Sequence, residues 1–576
     1  MTEKNYSAQL LALQVLMLPA ILLSISAVLF FLTIPITPAH FLAALAATVG
    51  ISFLLFKKHR HFKSPGNLKT CDYWKVTAVF FILILVGLLI GMSVYDFSQD
   101  GQAYQQPAVI ALANGWNPFH EPFLEKYEPF YKQAMAGNEM YANHYTKASW
   151  ITAAAVYRLT GSVESGKLFN FLYMAAVFLI TWNFLFHFGR IPGKAKLVIA
   201  VLTALNPVVL YQVFSYYNDC QLASLLSITL ILAFEYILFR EEKALFFLFI
   251  TLPVLSNIKF TGLIYGAVII CLAWLVVFIL DRDVQRRFIF TMGAAFLAAV
   301  FIIGFQPYMT NLASKGNPFY PALRSGGTGE TLFKTVIGNQ APGDFMTKDR
   351  FRKLFYSLFS RSDSNLTHMP RLKIPFTIHK NELAAFDVPD ARYGGFGPLF
   401  GSILLLVIPG AFVVLFKAKR IVKWFGFIPA GVIVVSTLIN PEAWWARLSP
   451  QLWLLPITLI VSFYYLPGKR WKYGRGLAIL LLLVNSMMVI IEHTGYTLGV
   501  NRQFKRQMAV LSEATRQTRE VLAVAPDVFY LTIHERLHYF KIRHRMATGA
   551  GANIQAVGGF PGTPNTKIWF ENAPGI

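Results

Sequence analysis

The sequence predicts an all-α polytopic membrane protein, with about thirteen transmembrane helices, interfacial helices in its outer loops and a small C-terminal α/β segment. Three observations carry that expectation. Of 576 residues 55% are hydrophobic and only 14% charged, and the mean hydropathy is +0.49. Such a composition fits a multispan protein rather than a soluble enzyme with one anchor. Apolar runs near bilayer-crossing length recur at 8–33, 39–56, 75–94, 165–187, 196–216, 220–239, 243–257, 262–280, 287–306, 396–416, 421–440, 450–466 and 475–493. Finally, with the N-terminus inside, the cytoplasmic loops are KKHRHFK (57–63), RIPGKAK (190–196), REEK (240–243), DRDVQRR (281–287), KAKR (417–420) and GKRWKYGR (468–475), and every one carries Lys or Arg, as the positive-inside rule requires.

The flanks justify each run in turn. Residues 8–33 lack a small-residue cleavage site and are soon followed by another run, so they are a retained span and not a signal peptide. The run at 75–94 opens into the polar stretch YDFSQDGQAYQQPAVIALANGWNPF (95–119). ASWITAAAVYRLT (148–160) is short, contains Arg158 and repeats polar residues at helical spacing, which predicts an interfacial helix that does not cross. If it crossed, RIPGKAK and every later loop would change sides. The N-terminus is therefore expected in the cytoplasm and the C-terminus outside, in a plasma (inner) membrane.

Three substantial segments then lie outside: 95–164, 307–395 and 494–576. The second contains GNPFYP (316–321) and a basic amphipathic stretch, FMTKDRFRKLFYSLFSR (345–361), which predicts another interfacial helix. The tail shows a helical pattern at 502–522, a strand-like VFYLTI (528–533) and Gly/Pro-rich turns. The expected organisation is a two-span extension (1–74), a transmembrane module (75–493) and an extracytoplasmic C-terminal domain (494–576). The net charge of +23 and pI near 9.8 reflect the basic loops; without a helix-turn-helix or aromatic-basic groove they do not indicate nucleic-acid binding. Cys71, Cys220 and Cys271 are the only cysteines, and no disulfide scaffold or zinc site follows from their spacing.

Charge near hydrocarbon is costly and marks function by default. Asp96 and Asp100 sit where a span meets the outer face, followed by Gly101 and the amphipathic pattern containing Tyr104. ANHYTK supplies His144 and Lys147 before the interfacial helix. NPVVLYQVFSYYND ends on Asp219, SNIKFTG places Lys259 between two spans, and WWARLSPQLWLLP places Arg447 at a late span. This order resembles the GT-C class of membrane glycosyltransferases, particularly the protein O-mannosyltransferases and the lipid A aminoarabinose transferases, over roughly residues 75–466. The resemblance implies Asp100 at the catalytic acid position and Tyr104 as the helix tyrosine. It also implies His144 and Lys147 in the turn, Asp219 as a second acid, and Lys259 and Arg447 as the family lysine and arginine. The turn prolines are absent, and Gly101 stands where the family has a second acid, with Asp96 its nearest substitute.

The chemistry follows without the family. Nucleotide sugars do not cross membranes unaided, so a sugar transferase working outside requires a flipped donor, most simply a polyprenyl-phosphate sugar. Fixed cations are then needed for the leaving phosphate, with Lys147, Lys259 and Arg447 as candidates, and a carboxylate such as Asp100 for the acceptor hydroxyl. One such base suits inversion; a retaining route needs a second carboxylate about 5 Å away, for which Asp96 and Asp219 are formally available. The acceptor would be a glycan, lipid or protein, and the setting cell-envelope polysaccharide assembly. No motif calls for a cofactor, and none supports a divalent cation. Each residue also has a plain structural role open to it: Asp100 as helix N-cap, Asp219 as turn residue, the lysines as snorkelling anchors, and Arg447 as partner of Glu442. Trp116, Trp444 and Trp445 are available for sugar stacking. The competing functions are an O-antigen ligase or polymerase, which the early acid argues against, and a lipid-linked glycan transporter or flippase. The latter predicts mid-membrane charges and paired broken helices, whereas these spans carry charge only near their ends.

Overall fold

The computed structural model describes residues 3–63, 70–125, 127, 129–280, 285–321, 340–517, 520–524, 527–547 and 568–572. Among them, nine helices are long and apolar enough to cross a membrane: Tyr6–Phe31, Pro38–Lys58, Thr70–Ser93, Val163–Leu185, Asp219–Phe239, Phe260–Ile279, Gln285–Ile303, Phe400–Lys417 and Lys469–Gln517. Helix Thr70–Ser93 shows why these residues suit lipid. It buries Tyr73, Thr77, Phe80, Ile84, Gly87 and Gly91 on one face, while Val79, Phe81, Ile82, Leu85, Val86 and Leu89 stay exposed. A helix apolar on both faces belongs in a bilayer. Asp219–Phe239 is the inner pillar, buried along nearly its whole length.

The other four apolar runs are helical but shorter, so nine spans and not thirteen meet the crossing criterion. Residues 196–216 break after Ala204, where Asn206 caps Pro207–Leu210 by accepting from the Val208 amide. Proline at the first helical position starts a new helix rather than continuing the old one. Glu242–Ile258 carries Pro253, and the apolar part of Arg420–Leu438 is Val422–Leu438 with Pro429 inside. The run at 450–466 opens as a 3₁₀ turn before Leu454–Phe463.

Two expectations for the outer elements are corrected. Helix Ala148–Thr160 does not lie on the surface; Ala148 to Val156 are all buried in protein. Its small residues allow that, and it ends at Gly161 in the left-handed conformation (φ +71°). The VFYLTI segment is not a strand, because helix Tyr530–Tyr539 runs through it. Tyr530, Ile533 and Leu537 form its buried stripe, a helical spacing that a short apolar run conceals. The 345–361 stretch contains helix Arg350–Phe359, capped by Asp349; it buries Lys353 and Ser357 and exposes Phe351 and Phe355, a disposition suited to an interface.

The helical pattern at 502–522 continues the last span without a break and ends at Gln517. The resulting helix, Lys469–Gln517, has 49 residues and a length of about 74 Å, more than twice the roughly 30 Å hydrocarbon core. Its C-terminal part carries a three-stranded sheet of order β2-β1-β3: β1 (Glu520–Val524) pairs in parallel with β2 (His544–Met546) and antiparallel with β3 (Ile568–Asn572). Phe504, Met508 and Leu511 of the helix, Leu522 and Val524 of β1, and Ile533 and Leu537 form one core with Tyr95. The C-terminal segment is thereby packed on the loop that carries the candidate acids.

Candidate functional site

The loop after Ser93 is fixed by two carboxylates with opposite fates. Asp96 is buried and its oxygens are spent on backbone: Oδ1 accepts from the Ser98 amide and Oδ2 from the Tyr216 amide, each at 2.8 Å. A Cβ at Gly101 would stand 1.9 Å from Asp96 Oδ2 and 2.2 Å from Ser98 Oγ, so glycine there is a packing requirement. Beneath the loop lies a second cluster. Glu164 pairs with Lys167 and, at 2.8 Å, with Arg536. Lys167 also donates to the Val94 carbonyl, and Arg536 donates to the Asp96 carbonyl (2.5 Å) and to Gln102 Oε1 (2.8 Å). Asp96 is thus a structural acid, although its edge borders the cavity.

Asp100 makes no capping hydrogen bond, which removes the helix-cap role. Its carboxylate is about a third exposed (32%) into a cavity of about 1480 Å³, and Tyr104 donates to Oδ2 at 3.4 Å. The same cavity is lined by Asp219, Lys259, Asp390, Arg392, Trp445 and Arg447. Asp219 opens its helix, and Lys259 interrupts two helices in an extended conformation. Asn218 donating to the Ile258 carbonyl (3.1 Å) draws those ends together, and Lys259 Nζ lies 2.5 Å from Asp219 Oδ1.

Arg447, on the short turn Ala446–Leu448, stands at the centre. Its guanidinium lies 3.9 Å from Asp100, 3.7 Å from Asp219 and 3.6 Å from Asp390, all beyond hydrogen-bond distance. Its Nε and Nη1 are buried with no hydrogen-bond partner among the described residues. The group sits over the Tyr217 and Trp445 rings at 5.1 and 4.3 Å. Glu442, its expected partner, is taken instead by Lys353 (2.8 Å) and by the Trp444 indole. Asp390 is held by Arg392 (2.9 Å) and by the Trp445 indole (3.0 Å), and Arg392 also lies over Trp445. Burial pushes the Asp100 carboxyl above the ordinary carboxylate range; Arg447 opposes that, while Asp390 adds to it. Burial lowers the Arg447 guanidinium, but Asp390 and then Asp219 more than offset it and hold the group well above its usual value.

Two sequence candidates do not reach the cavity. Lys147 is buried, donates to the Asn143 (3.3 Å) and Tyr145 (2.8 Å) carbonyls and lies over Trp116 and Trp150. Burial drives its ammonium well below the ordinary lysine range, so it is a poor phosphate cation and a good clamp on the preceding helix end. His144 faces Asn311 (2.7 Å) and the Tyr320 ring. Asp390 and Arg392 were not anticipated, though the signal was present: VPDARY (388–393) sets an acid and an arginine just before an apolar run.

The site is therefore a charged cavity in a polytopic helical membrane protein, where three carboxylates meet three cations. No family model matches the chain, and no curated protein matches it. Solved structures similar to it include ArnT from Cupriavidus metallidurans bound to undecaprenyl phosphate, with a TM-score of 0.42 and 13% identity over 82% of this chain and 86% of that one. The apo state of the same protein gives 0.44 and 13% over 84% and 87%.

Proposed function

We propose that this chain transfers a sugar from a polyprenyl-phosphate-linked donor to an acceptor hydroxyl on the outer face of the membrane. One observation carries the reading: Arg447 is a buried guanidinium whose N–H groups face carboxylates yet bond to none of them. Buried N–H donors without acceptors are costly, and a phosphate entering the cavity would supply the missing acceptors, with Lys259 and Arg392 alongside. Asp100 is the candidate base, with Tyr104 orienting its carboxylate. The acceptor O–H loses its proton to Asp100 as its oxygen attacks the anomeric carbon. The carbon–oxygen bond to the phosphate breaks, and its electron pair leaves with the phosphate toward Arg447. One base and one displacement give inversion. Asp219, held by Lys259, and Asp390, held by Arg392, keep the cations in place before the donor arrives.

The order of acid, tyrosine, lysine and arginine along the chain resembles the GT-C class and supports the same reading. The test is the bound lipid. Protein purified from native membranes and extracted for mass spectrometry should yield a polyprenyl phosphate or its sugar ester, and Arg447→Ala should yield little. Equal recovery from the variant would sink the donor assignment.

A further inference from the structure

The acid cluster fills only one end of the cavity. The other wall is helix Lys469–Gln517, from which His493, Tyr496, Thr497, Val500, Gln503 and Gln507 line the space at helical spacing. From His493 to Gln507 this wall rises about 21 Å. Its lower end is tied to the acid cluster, since His493 Nδ1 lies 2.8 Å from the carbonyl of Phe386, in the segment that continues to Asp390. Its upper end is tied to the Asp100 loop, where the cavity-lining Phe97 packs on Phe504 with ring centroids 5.3 Å apart. The arm thus runs along the loop from Asp100 toward Phe97, on the part of the helix that extends to the sheet-bearing end.

The chemistry of the arm differs from that of the cluster. Lys259, Arg392 and Arg447, the cations of the cavity lining among the described residues, all belong to the acid end. The arm offers amides at Gln503 and Gln507, a half-exposed aromatic face at Tyr496 (46%) and the ring of Phe97. A carbonyl only accepts, so His493 Nδ1 carries the proton and Nε2 is a bare acceptor, buried and without a partner among the described residues. Aromatic faces with amides and acceptors, and no cation, suit an uncharged chain rich in hydroxyls. Resting on the transferase reading above, we propose that this arm is the acceptor site and that its ligand is a neutral glycan of several sugar units, extended along the helix with its terminal hydroxyl at Asp100.

The test uses full-length protein in nanodiscs and neutral manno- and gluco-oligosaccharides from mono- to hexasaccharide, with affinity measured by saturation-transfer NMR. Affinity should rise at least about tenfold from mono- to tetrasaccharide in one of the two series and then level off. Val500→Trp and Gln507→Ala should remove that gain while polyprenyl phosphate binds as before. Affinity independent of length, or tighter binding of a sulfated tetrasaccharide or a Ser/Thr-containing hexapeptide, would overturn the assignment. Polyprenyl phosphate binding is measured in parallel on wild type and Arg447→Ala. If it depends on Arg447 while no oligosaccharide binds, the glycan acceptor falls and the transferase reading stands. If it is indifferent to Arg447, the transferase reading itself falls.

Discussion

Two charged clusters lie on either side of one loop, and they are built to opposite rules. Beneath the loop, Glu164 is paired with Lys167 and Arg536, which also donate to the Val94 and Asp96 carbonyls and Gln102, so that Arg536 Nε alone of these charged groups lacks a partner among the described residues. Above it, Arg447 stands 3.6 to 3.9 Å from three carboxylates with donors unspent. The central arginines are both largely buried, Arg536 at 4% and Arg447 at 14% exposure, so burial alone does not separate structure from function. Saturation does. Arg536 spends both terminal nitrogens on acceptors and is short only at Nε, whereas Arg447 bonds to none of the three carboxylates around it. A group left that short in a cavity wall marks where a ligand completes the set.

The largest expected effect falls on the unsaturated side. Asp100→Asn keeps the shape and removes the base, so transfer should drop about 10²–10⁴-fold with folding and donor binding intact; near-normal transfer would return Asp100 to a structural role. On the saturated side, Arg536→Met leaves Glu164 short of a partner and should cost about 3–5 kcal/mol of stability, read as a lowered Tm in detergent. A large loss of rate at unchanged Tm would erase the distinction between the clusters. The pH profile sharpens it further. Asp100 is inactive when protonated and burial raises its pKa, so the rate should rise with pH through a midpoint above the ordinary value of about 4. An acid limb at or below that value would contradict the buried base. The smallest effect belongs to Lys147→Met, which should leave polyprenyl phosphate affinity within about twofold, because the side chain is spent on carbonyls outside the cavity; a loss equal to that of Lys259→Met would place it back in the site.

Much of the candidate cavity's charged lining was legible because charge stands out at the ends of apolar runs. Asp100, Asp219, Lys259 and Arg447 stand out at the ends of apolar runs. Asp390 and Arg392 do not, since they close a long polar segment in which many charges compete. The fate of Lys147 depended on its burial over Trp116 as well as the neighbouring Trp150, and the approach of Trp116 is a tertiary fact without a local trace. Among elements, VFYLTI read as a strand because four of its six residues are aromatic or β-branched apolar ones, and only the later Leu537 reveals the helical period. The last apolar run ends at 493 and a separate helical pattern begins at 502, yet one helix joins them through Gly495 and Gly499; an isolated glycine weakens a helix by about 1 kcal/mol and does not stop it.

That unbroken helix acts as a ruler. With bilayer, cavity wall and sheet all referred to one rod, each residue inserted into its C-terminal half would lift the sheet by about 1.5 Å and turn it by about 100°. The Arg536 side chain would then swing away from the loop it holds. The segment from 494 to 517 can change its letters but not its length: a single insertion or deletion there should do more damage than many substitutions, whereas the loops at the opposite face tolerate added residues.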